Sequence, residues 1–225
     1  MDDEHHAPPE HAGPDLPDTT LTVLPHTGLA VPDATLRVTA IKQMRHSHGV
    51  AWEATLHRAA DHVGWFANTG HGEESTFNPS NWDTFSLRDF ERFARACTRD
   101  GEPLAYDELA IDALVTEYDM QVDIDAARAK GRAVLRLADP AGTYPDLTVA
   151  HPFRLRDLPA QQRLLNELRM RQARRNGVLD WLDQTSWTPQ QRQAVLREGV
   201  WEWWDGTAWT PLAGLTSPPE AAEQT

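Results

Sequence analysis

The feature that most constrains the fold is an alternation of apolar and polar side chains between residues 50 and 67. Apolar side chains occupy every second position in two runs, first Val50, Trp52, Ala54 and Leu56, then Val63, Trp65 and Ala67. A period of two residues is typical of a strand that buries one face. With a further strand over residues 35–44, the sequence predicts an antiparallel three-stranded meander. Its buried face is expected to carry Trp52, Leu56, Val63 and Trp65.

Two helices are predicted after the meander. Ser86 and Asp89 stand three residues apart, as in a variant of the capping box, and they mark the start of the first helix. The apolar side of that helix is expected to contain Leu87, Phe90, Phe93, Ala94 and Cys97. The second helix is expected from about Tyr106 to about Lys130, with Gly131 just after its end. Its apolar stripe would be Leu114, Val115, Tyr118 and Val122.

Residues 132–175 predict shorter elements. Two strands are expected at 132–138 and 147–153, separated by a turn-rich stretch, and a further helix is expected at 158–175. The predicted fold class is therefore α+β, in which an antiparallel β-meander and two further short strands pack on two or three helices.

The segment VWEWWDGTAWTPL, at residues 200–212, predicts a β-hairpin. Its Asp205-Gly206 dipeptide is preferred in two-residue type I′ turns. The resulting pairs would be Trp204 with Thr207 and Glu202 with Trp209, with Trp201 and Trp203 on the opposite face. A helix that ends at Gly199 is expected to precede the hairpin, so that the two form a C-terminal appendage.

Composition divides the chain into four parts. Residues 1–34 contain seven acidic residues and no lysine or arginine, which predicts a disordered acidic leader. Residues 35–176 are expected to form the α+β domain. Residues 177–212 would be a separate unit of one helix and the tryptophan-rich hairpin, and residues 213–225 a flexible tail.

The sequence predicts a cytoplasmic protein. No run of 18 apolar residues occurs, and the stretch MDDEHHAPPE lacks the basic and apolar regions of a signal peptide. The single cysteine, Cys97, is expected to be a buried, inert thiol, as suits a reducing compartment. The net charge of -13 opposes attraction to nucleic acid or anionic lipid, so neither is an expected partner.

The stretch HVGWFANTGHGEEST, at residues 62–76, has the glycines of a phosphate loop but not its context. Gly64 falls within a predicted strand. Gly70 and Gly72 are followed by Glu73, whose charge would repel phosphate. We therefore expect Gly70 and Gly72 to supply positive φ angles where the third strand turns back.

The histidines raise the alternative of a metal site. His46 and His48 form an H-x-H pair whose imidazoles would lie on one side of a strand. His71, in the glycine-rich turn, is the further candidate ligand. The spacing of these histidines does not identify a third ligand. The other interpretation is that they are surface histidines at a strand end. No metal or other cofactor is therefore predicted.

The second predicted helix is strongly acidic. Residues 107–125 contain seven Asp and Glu residues and no lysine or arginine. Paired carboxylates can hold Mg²⁺ or act as acid and base, but these are spread around the helix, which favours a solvated exterior. A contiguous acidic surface would instead favour a mimic of nucleic acid, directed at a DNA-binding factor.

Residues 50–72 resemble the opening of a family of small phage and bacterial proteins. Members share two strands joined by a short turn, with a V-G-x-x-x-N-x-G-x-G pattern in the second strand and its glycine-rich turn. The matching positions are Val63, Gly64, Asn68, Gly70, His71 and Gly72. The likeness extends over about residues 50–175 and implies a strand-turn-strand unit followed by a helix and a strand. It implies no activity.

The hairpin segment WEWWDGTAWT is similar to a tryptophan-rich segment, typically YWDGTAWT, at the ends of many actinobacterial proteins. The matching positions are Trp204, Asp205, Gly206, Thr207, Trp209 and Thr210. This resemblance implies an actinobacterium or its phage as the source, and it assigns no function to the segment.

These patterns favour a non-enzymatic accessory protein that binds another protein through the aromatic hairpin. No catalytic residues are assigned from spacing. A short two-stranded ribbon cannot bury both faces on one helix, so some indole surface is expected to be exposed to a partner. The alternative is that the tryptophans form a satellite core that holds down the C-terminal segment, because tryptophan is usually mostly buried. The partner-binding residues would be Trp201, Trp203, Trp204 and Trp209. A metal-dependent enzyme that uses His46 and His48 and the acidic mimic of nucleic acid are the alternatives.

Overall fold

The computed structural model of the protein describes residues 20–47, 49–138, 147–151, 158–173 and 199–212. Within these residues the chain forms three helices and twelve strands, which is the predicted α+β class. The helices are α1 (Leu87–Ala96), α2 (Glu108–Ala129) and α3 (Leu158–Ala173). The strands are β1 (Thr22–Val23), β2 (Ala30–Val31), β3 (Leu36–His46), β4 (Gly49–Arg58), β5 (Asp61–Asn68), β6 (Thr76–Pro79), β7 (Thr98–Arg99), β8 (Glu102–Pro103), β9 (Ala133–Ala138), β10 (Leu147–His151), β11 (Val200–Trp204) and β12 (Trp209–Pro211). None of the described helices is long and apolar enough to cross a membrane.

The strands assemble into three antiparallel four-stranded sheets. The meander sheet has the order β3-β4-β5-β6, the N-terminal sheet β1-β2-β7-β8 and the C-terminal sheet β10-β9-β11-β12. The meander predicted from the alternation is confirmed, and β6 adds a fourth strand after the glycine-rich turn.

A β-bulge at Val63 reverses the expected face of Trp65. Leu56 pairs with Gly64, whereas the next residue of β4 pairs with His62, so Val63 is the extra residue. One extra residue moves every later side chain to the other face of a strand. Trp65 is consequently 36% exposed, and Phe66 is fully buried in its place. The prediction that Trp65 shares the buried face with Leu56 is therefore wrong.

Helix α1 begins where the sequence predicts. The Ser86 side chain accepts a hydrogen bond from the Asp89 N–H, and the Asp89 carboxylate accepts one from the Ser86 N–H, which completes the capping box. Phe90, Phe93 and Ala94 are buried. Leu87, predicted on the same side, is 41% exposed because it lies in the first turn, beyond the edge of the core.

Helix α2 packs on two different sheets, and this changes its buried stripe along its length. Leu114 is buried in the main core beside the meander sheet, together with partly buried Val115 and Tyr118. Further along, Ile124 is buried with Ala127 and Val134 against the C-terminal sheet. Val122, predicted to be buried, is 44% exposed. Gly131 follows the helix with a φ of 63°, as expected of the residue after a C-cap.

The main core lies between the meander sheet, α1 and α2. Phe66 of the sheet contacts Phe90 of α1, with ring centroids 5.2 Å apart. Cys97, directly after α1, is fully buried, as predicted, and burial raises the pKa of its thiol to about 12. Such a thiol is protonated and inert at neutral pH.

The tryptophan-rich hairpin is part of the C-terminal sheet. Strand β11 pairs with β9, so that Trp201 lies opposite Leu137 and Trp203 opposite Leu135. The prediction of a separate unit at residues 177–212 is therefore wrong for the hairpin. A lone hairpin has too little surface to bury, and the edge of β9 supplies the missing partner strand.

The leader predicted at residues 1–34 is folded over the part that the structure describes. Residues 20–34 contain β1 and β2, and Leu29 and Val31 are fully buried. This burial was not predicted, because the segment is rich in acidic residues and proline and its apolar residues follow neither a helical nor a strand period. Residues 1–19 of the predicted leader, the helix expected before Gly199 and the predicted tail at 213–225 lie outside the described residues.

Candidate functional site

The hairpin turn contains four residues, so the predicted two-residue type I′ turn is wrong. Trp204 pairs with Trp209, and Trp203 pairs with Thr210. The Asp205 carboxylate accepts hydrogen bonds from the N–H groups of Thr207 at 2.7 Å and Ala208 at 2.9 Å. These bonds, led by that of Ala208, lower the pKa of Asp205 to about 2. The carboxylate therefore closes the wider turn.

The four tryptophans proposed to bind a partner are turned largely inward. Trp201 is only 2% exposed, which leaves no surface for a partner. Trp204 and Trp209 pack against the cluster of Ile124, Ala127 and Val134. Trp203 is half-buried. Pairing with β9 and packing on α2 account for this burial, which agrees with the alternative that the hairpin is a packed core.

His26 is the buried polar centre beneath the hairpin. It is 2% exposed, and its ring contacts Trp204 edge to face at a centroid distance of 4.7 Å. The Trp209 indole N–H donates to His26 Nδ1 across 3.3 Å, and His26 Nε2 lies 3.0 Å from Gln121 Oε1. The hairpin is thus joined to both the N-terminal segment and α2. Sequence analysis did not single out His26.

Two charged side chains complete this network. The Glu117 carboxylate accepts hydrogen bonds from the backbone N–H groups of His26 and Thr27, at 3.1 and 2.9 Å. Arg136 forms an ion pair with Glu202 at 2.6 Å and donates to the His26 carbonyl at 2.8 Å. Its guanidinium also lies 4.6 Å from the centre of the Trp209 ring. These contacts fasten the hairpin to the N-terminal segment and to α2, and within them the Trp209 indole N–H has a hydrogen-bond acceptor.

The candidate metal-binding histidines are only partly brought together. The rings of His46 and His71 lie 4.7 Å apart and are tilted by 33°. His46 Nε2 is 3.0 Å from the Thr69 carbonyl oxygen. His48 lies outside the described residues. Among the residues that the structure describes, no group of three metal-ligating side chains occurs. The metal site remains an untested alternative.

The glycine-rich stretch forms a turn, as predicted. Gly70 and Gly72 have φ angles of 75° and 87°. Asn68 Oδ1 accepts a hydrogen bond from the Gly70 N–H at 2.8 Å, and its Nδ2 donates to the Glu73 carbonyl at 3.0 Å. The side chain of Asn68 therefore holds the turn that leads from β5 to β6.

An open groove lies between β6, α1 and the start of α2. Its volume is about 580 Å³. The lining residues are Glu74, Ser75, Thr76, Phe77, Leu87, Phe90, Glu91, Tyr106, Asp107, Glu108 and Ile111. We call this opening the acidic groove.

The acidic groove has an apolar floor and an exposed apolar rim. Phe77, Phe90 and Ile111 are buried beneath it. Tyr106 is 59% exposed and Leu87 is 41% exposed. Large apolar side chains at the edge of a concave surface are common at protein contacts. Sequence analysis placed Leu87 in the core and Tyr106 at a helix start, so it did not predict this site.

The charged side chains of the groove are all acidic. Burial raises the pKa of Asp107, and the nearby Glu91 carboxylate raises it further, whereas Arg95 opposes this shift. Glu108 accepts a hydrogen bond from the Ser75 N–H at 2.7 Å. Glu91 lies 3.5 Å from Arg95 in an exposed pair, which screens its charge only weakly. The groove therefore favours a cationic ligand over an anionic one.

Comparison with known proteins identifies no relative. No family model matches the chain, and no curated protein or solved structure matches it. The resemblances to a phage and bacterial family and to an actinobacterial segment therefore stay predictions.

The acidic side chains of α2 have different environments. Glu117 points inward, where it binds the backbone of the N-terminal segment. Asp112, Asp119 and Asp123 are exposed. Partial desolvation of the otherwise exposed Asp119 carboxyl raises its pKa, and the neighbouring Asp123 raises it further. The mimic of nucleic acid stays a prediction that rests on the exposed acids alone.

Proposed function

We propose that the protein is a non-enzymatic, cytoplasmic accessory protein that binds a protein partner through the acidic groove. The observation that carries this proposal is the pair of exposed apolar side chains, Tyr106 and Leu87, beside a concave apolar floor. The aromatic hairpin is a weaker candidate surface, because Trp201 is buried and Trp204 and Trp209 pack on α2.

The dimensions of the groove suit a peptide segment of another protein. Its volume of about 580 Å³ lies within the usual range of 300–1,000 Å³ for binding pockets. The exposed Leu87 and Tyr106 would supply apolar contact, and tyrosine is enriched at the centre of protein interfaces. The three elements around the groove are joined through the main core, so the site is held on rigid structure.

A comparison of variants during purification from the native host tests this proposal. Tyr106→Ala combined with Leu87→Ser removes the exposed rim, and each co-purifying protein is quantified by mass spectrometry. We expect the specific partner to fall by about tenfold or more, since interface aromatic residues carry much of the binding energy.

Two control variants show whether a loss of the partner is specific to the groove. Val122→Ser removes an exposed apolar side chain of α2 outside the groove and should leave the partner in place. Trp203→Ala tests the hairpin. Loss of the partner with Trp203→Ala, but not with the groove variant, would refute the groove. Thermal unfolding of each variant establishes that all are folded.

A further inference from the structure

We propose that the segment bound in the acidic groove carries a lysine or arginine side chain next to an apolar one. This inference rests on the proposed function, because it specifies the chemistry of the partner at the same site. Net charge alone does not lead to it, since the groove combines localised acids with an apolar floor.

Acidic residues from three separate parts of the chain line the groove. Glu74 precedes β6, Glu91 belongs to α1, and Asp107 and Glu108 lie at the start of α2. The eleven described lining residues include these four acids and no lysine, arginine or histidine. A cation in the groove would therefore face carboxylates from several directions.

The acids differ in how far the protein itself satisfies them. Glu108 is held by the Ser75 N–H, and Glu91 has the exposed Arg95 nearby. Asp107 caps α2 without a hydrogen bond from its side chain. Within the described chain, Asp107 and Glu74 have no ion-pair partner within 4.0 Å. Arg95 acts on Asp107 from beyond ion-pair distance, so a ligand cation would meet two carboxylates that have no direct ion-pair partner among the described residues.

The start of α2 stabilises only part of this charge. The positive end of a helix dipole favours Asp107 and Glu108 in its first turn. Glu74 is exposed and lies outside the helices, next to Ser75, whose N–H donates to Glu108. The Glu91 carboxylate raises the pKa of Asp107, which shows that the two carboxylates repel each other, and Arg95 offsets only part of this effect. A bound cation would offset more of the repulsion, because charges interact more strongly in a partly desolvated site.

The rim and floor set a second requirement on the ligand. Tyr106 offers an exposed ring over which a lysine or arginine can lie. Leu87, which is 41% exposed, offers contact to an apolar neighbour above the buried Phe77 and Phe90. The groove therefore selects a mixed basic and apolar segment over one that is only basic.

Fluorescence anisotropy with labelled peptides tests this selection on the full chain. One peptide alternates lysine and leucine, a second glutamate and leucine, and a third lysine and serine. We expect the lysine–leucine peptide to bind tightest and the glutamate–leucine peptide not to bind. Amide NMR shifts caused by the first peptide should cluster at residues 74–77, 87–91 and 106–111.

Charge-matched double variants separate the groove from the field of the whole chain. Asp107→Asn with Glu91→Gln should weaken the lysine–leucine peptide by about tenfold, because both charges border the groove. Asp119→Asn with Asp123→Asn removes the same charge from another part of α2 and should weaken it by less than about threefold. Equal losses in the two double variants, equal affinity for the glutamate–leucine peptide, or shifts outside the groove would overturn the inference.

Failure of this inference can be distinguished from failure of the proposed function by comparing the rim variant with the peptides. If the rim variant loses its native partner while the peptides show no charge preference, the groove binds a protein but not a basic segment. A second copy of the chain is the other conceivable occupant. Sedimentation of the isolated protein as a dimer that Tyr106→Ala dissociates would identify that occupant and refute the basic segment.

Discussion

Trp209 donates its indole N–H to Nδ1 of His26 across 3.3 Å, joining residues that are 183 positions apart in the chain. A tryptophan N–H can only donate, so Nδ1 must accept and cannot carry a proton. His26 Nε2 must then donate to Gln121 Oε1, which lies 3.0 Å away. One contact between two side chains thus fixes the tautomer of a buried histidine.

We accordingly predict that His26 carries its ring proton on Nε2 and accepts a hydrogen bond at Nδ1. Long-range ¹H–¹⁵N correlation spectra of the histidine rings distinguish the two tautomers and the imidazolium. The exposed His62 serves as an internal reference that exchanges with solvent. A protonated Nδ1 on His26 would contradict the hydrogen bond from Trp209.

Replacement of Arg136 should be among the costliest charge changes in the chain. Its side chain and that of Glu202 are 15% and 16% exposed, so Arg136→Met leaves a largely buried carboxylate unpaired. We expect the free energy of unfolding to fall by about 3 kcal/mol, measured by urea denaturation. Arg92→Met breaks the exposed pair with Asp89 and should cost less than about 1 kcal/mol. Equal costs for the two variants would contradict the network.

Gly64→Ala should destabilise the meander sheet severely. Gly64 has a φ of 155°, and a Cβ there would overlap the carbonyl oxygen of Asn78 and lie 2.7 Å from the Phe77 ring. We expect a loss of about 3 kcal/mol or more in the free energy of unfolding.

Gly72→Ala is the matched control for this steric effect. Gly72 has a φ of 87°, but a Cβ there meets no atom within 4 Å. Only backbone strain remains, and we expect a loss of about 1 kcal/mol. Equal losses in the free energy of unfolding for Gly64→Ala and Gly72→Ala, measured by urea denaturation, would contradict the close approach of β6 to β5.

The hairpin turn should lose stability only in strong acid. The pKa of Asp205 is lowered from 3.8 to about 2, so its ionised form favours the folded state. The stabilisation is present above the ordinary pKa of 3.8 and is lost as pH falls through about 2. Carboxyl ¹³C shifts give the midpoint directly. A midpoint near the ordinary value would show that the Thr207 and Ala208 hydrogen bonds are absent.

Local signals in the sequence predicted local structure well. Ser86 and Asp89 lie within one turn, and the capping box they form needs no other part of the chain. Gly131 similarly ends α2 through its own backbone conformation. The alternation of β4 predicted a strand because its period is set by neighbouring residues.

Errors arose where distant parts of the chain meet. The bulge at Val63 depends on how β5 registers with β4, and the alternation cannot show it. The turn at Asp205 is a local exception, because hydrogen bonds from Thr207 and Ala208 to its carboxylate override the preference of the Asp-Gly dipeptide. Burial of Trp201 depends on the pairing of β11 with β9, more than 60 residues away, as shown by its partner Leu137. The acidic groove combines three elements, and no single segment contains its pattern.

Site-specific photo-crosslinking provides the most direct test of the groove as the contact surface. Benzoylphenylalanine is introduced in place of Tyr106 in one variant and in place of Trp203 in another, and both are irradiated in cells of the native host. We predict a discrete crosslinked protein from position 106 and none from position 203. A crosslinked partner from position 203 alone would contradict the groove and restore the hairpin as the binding surface.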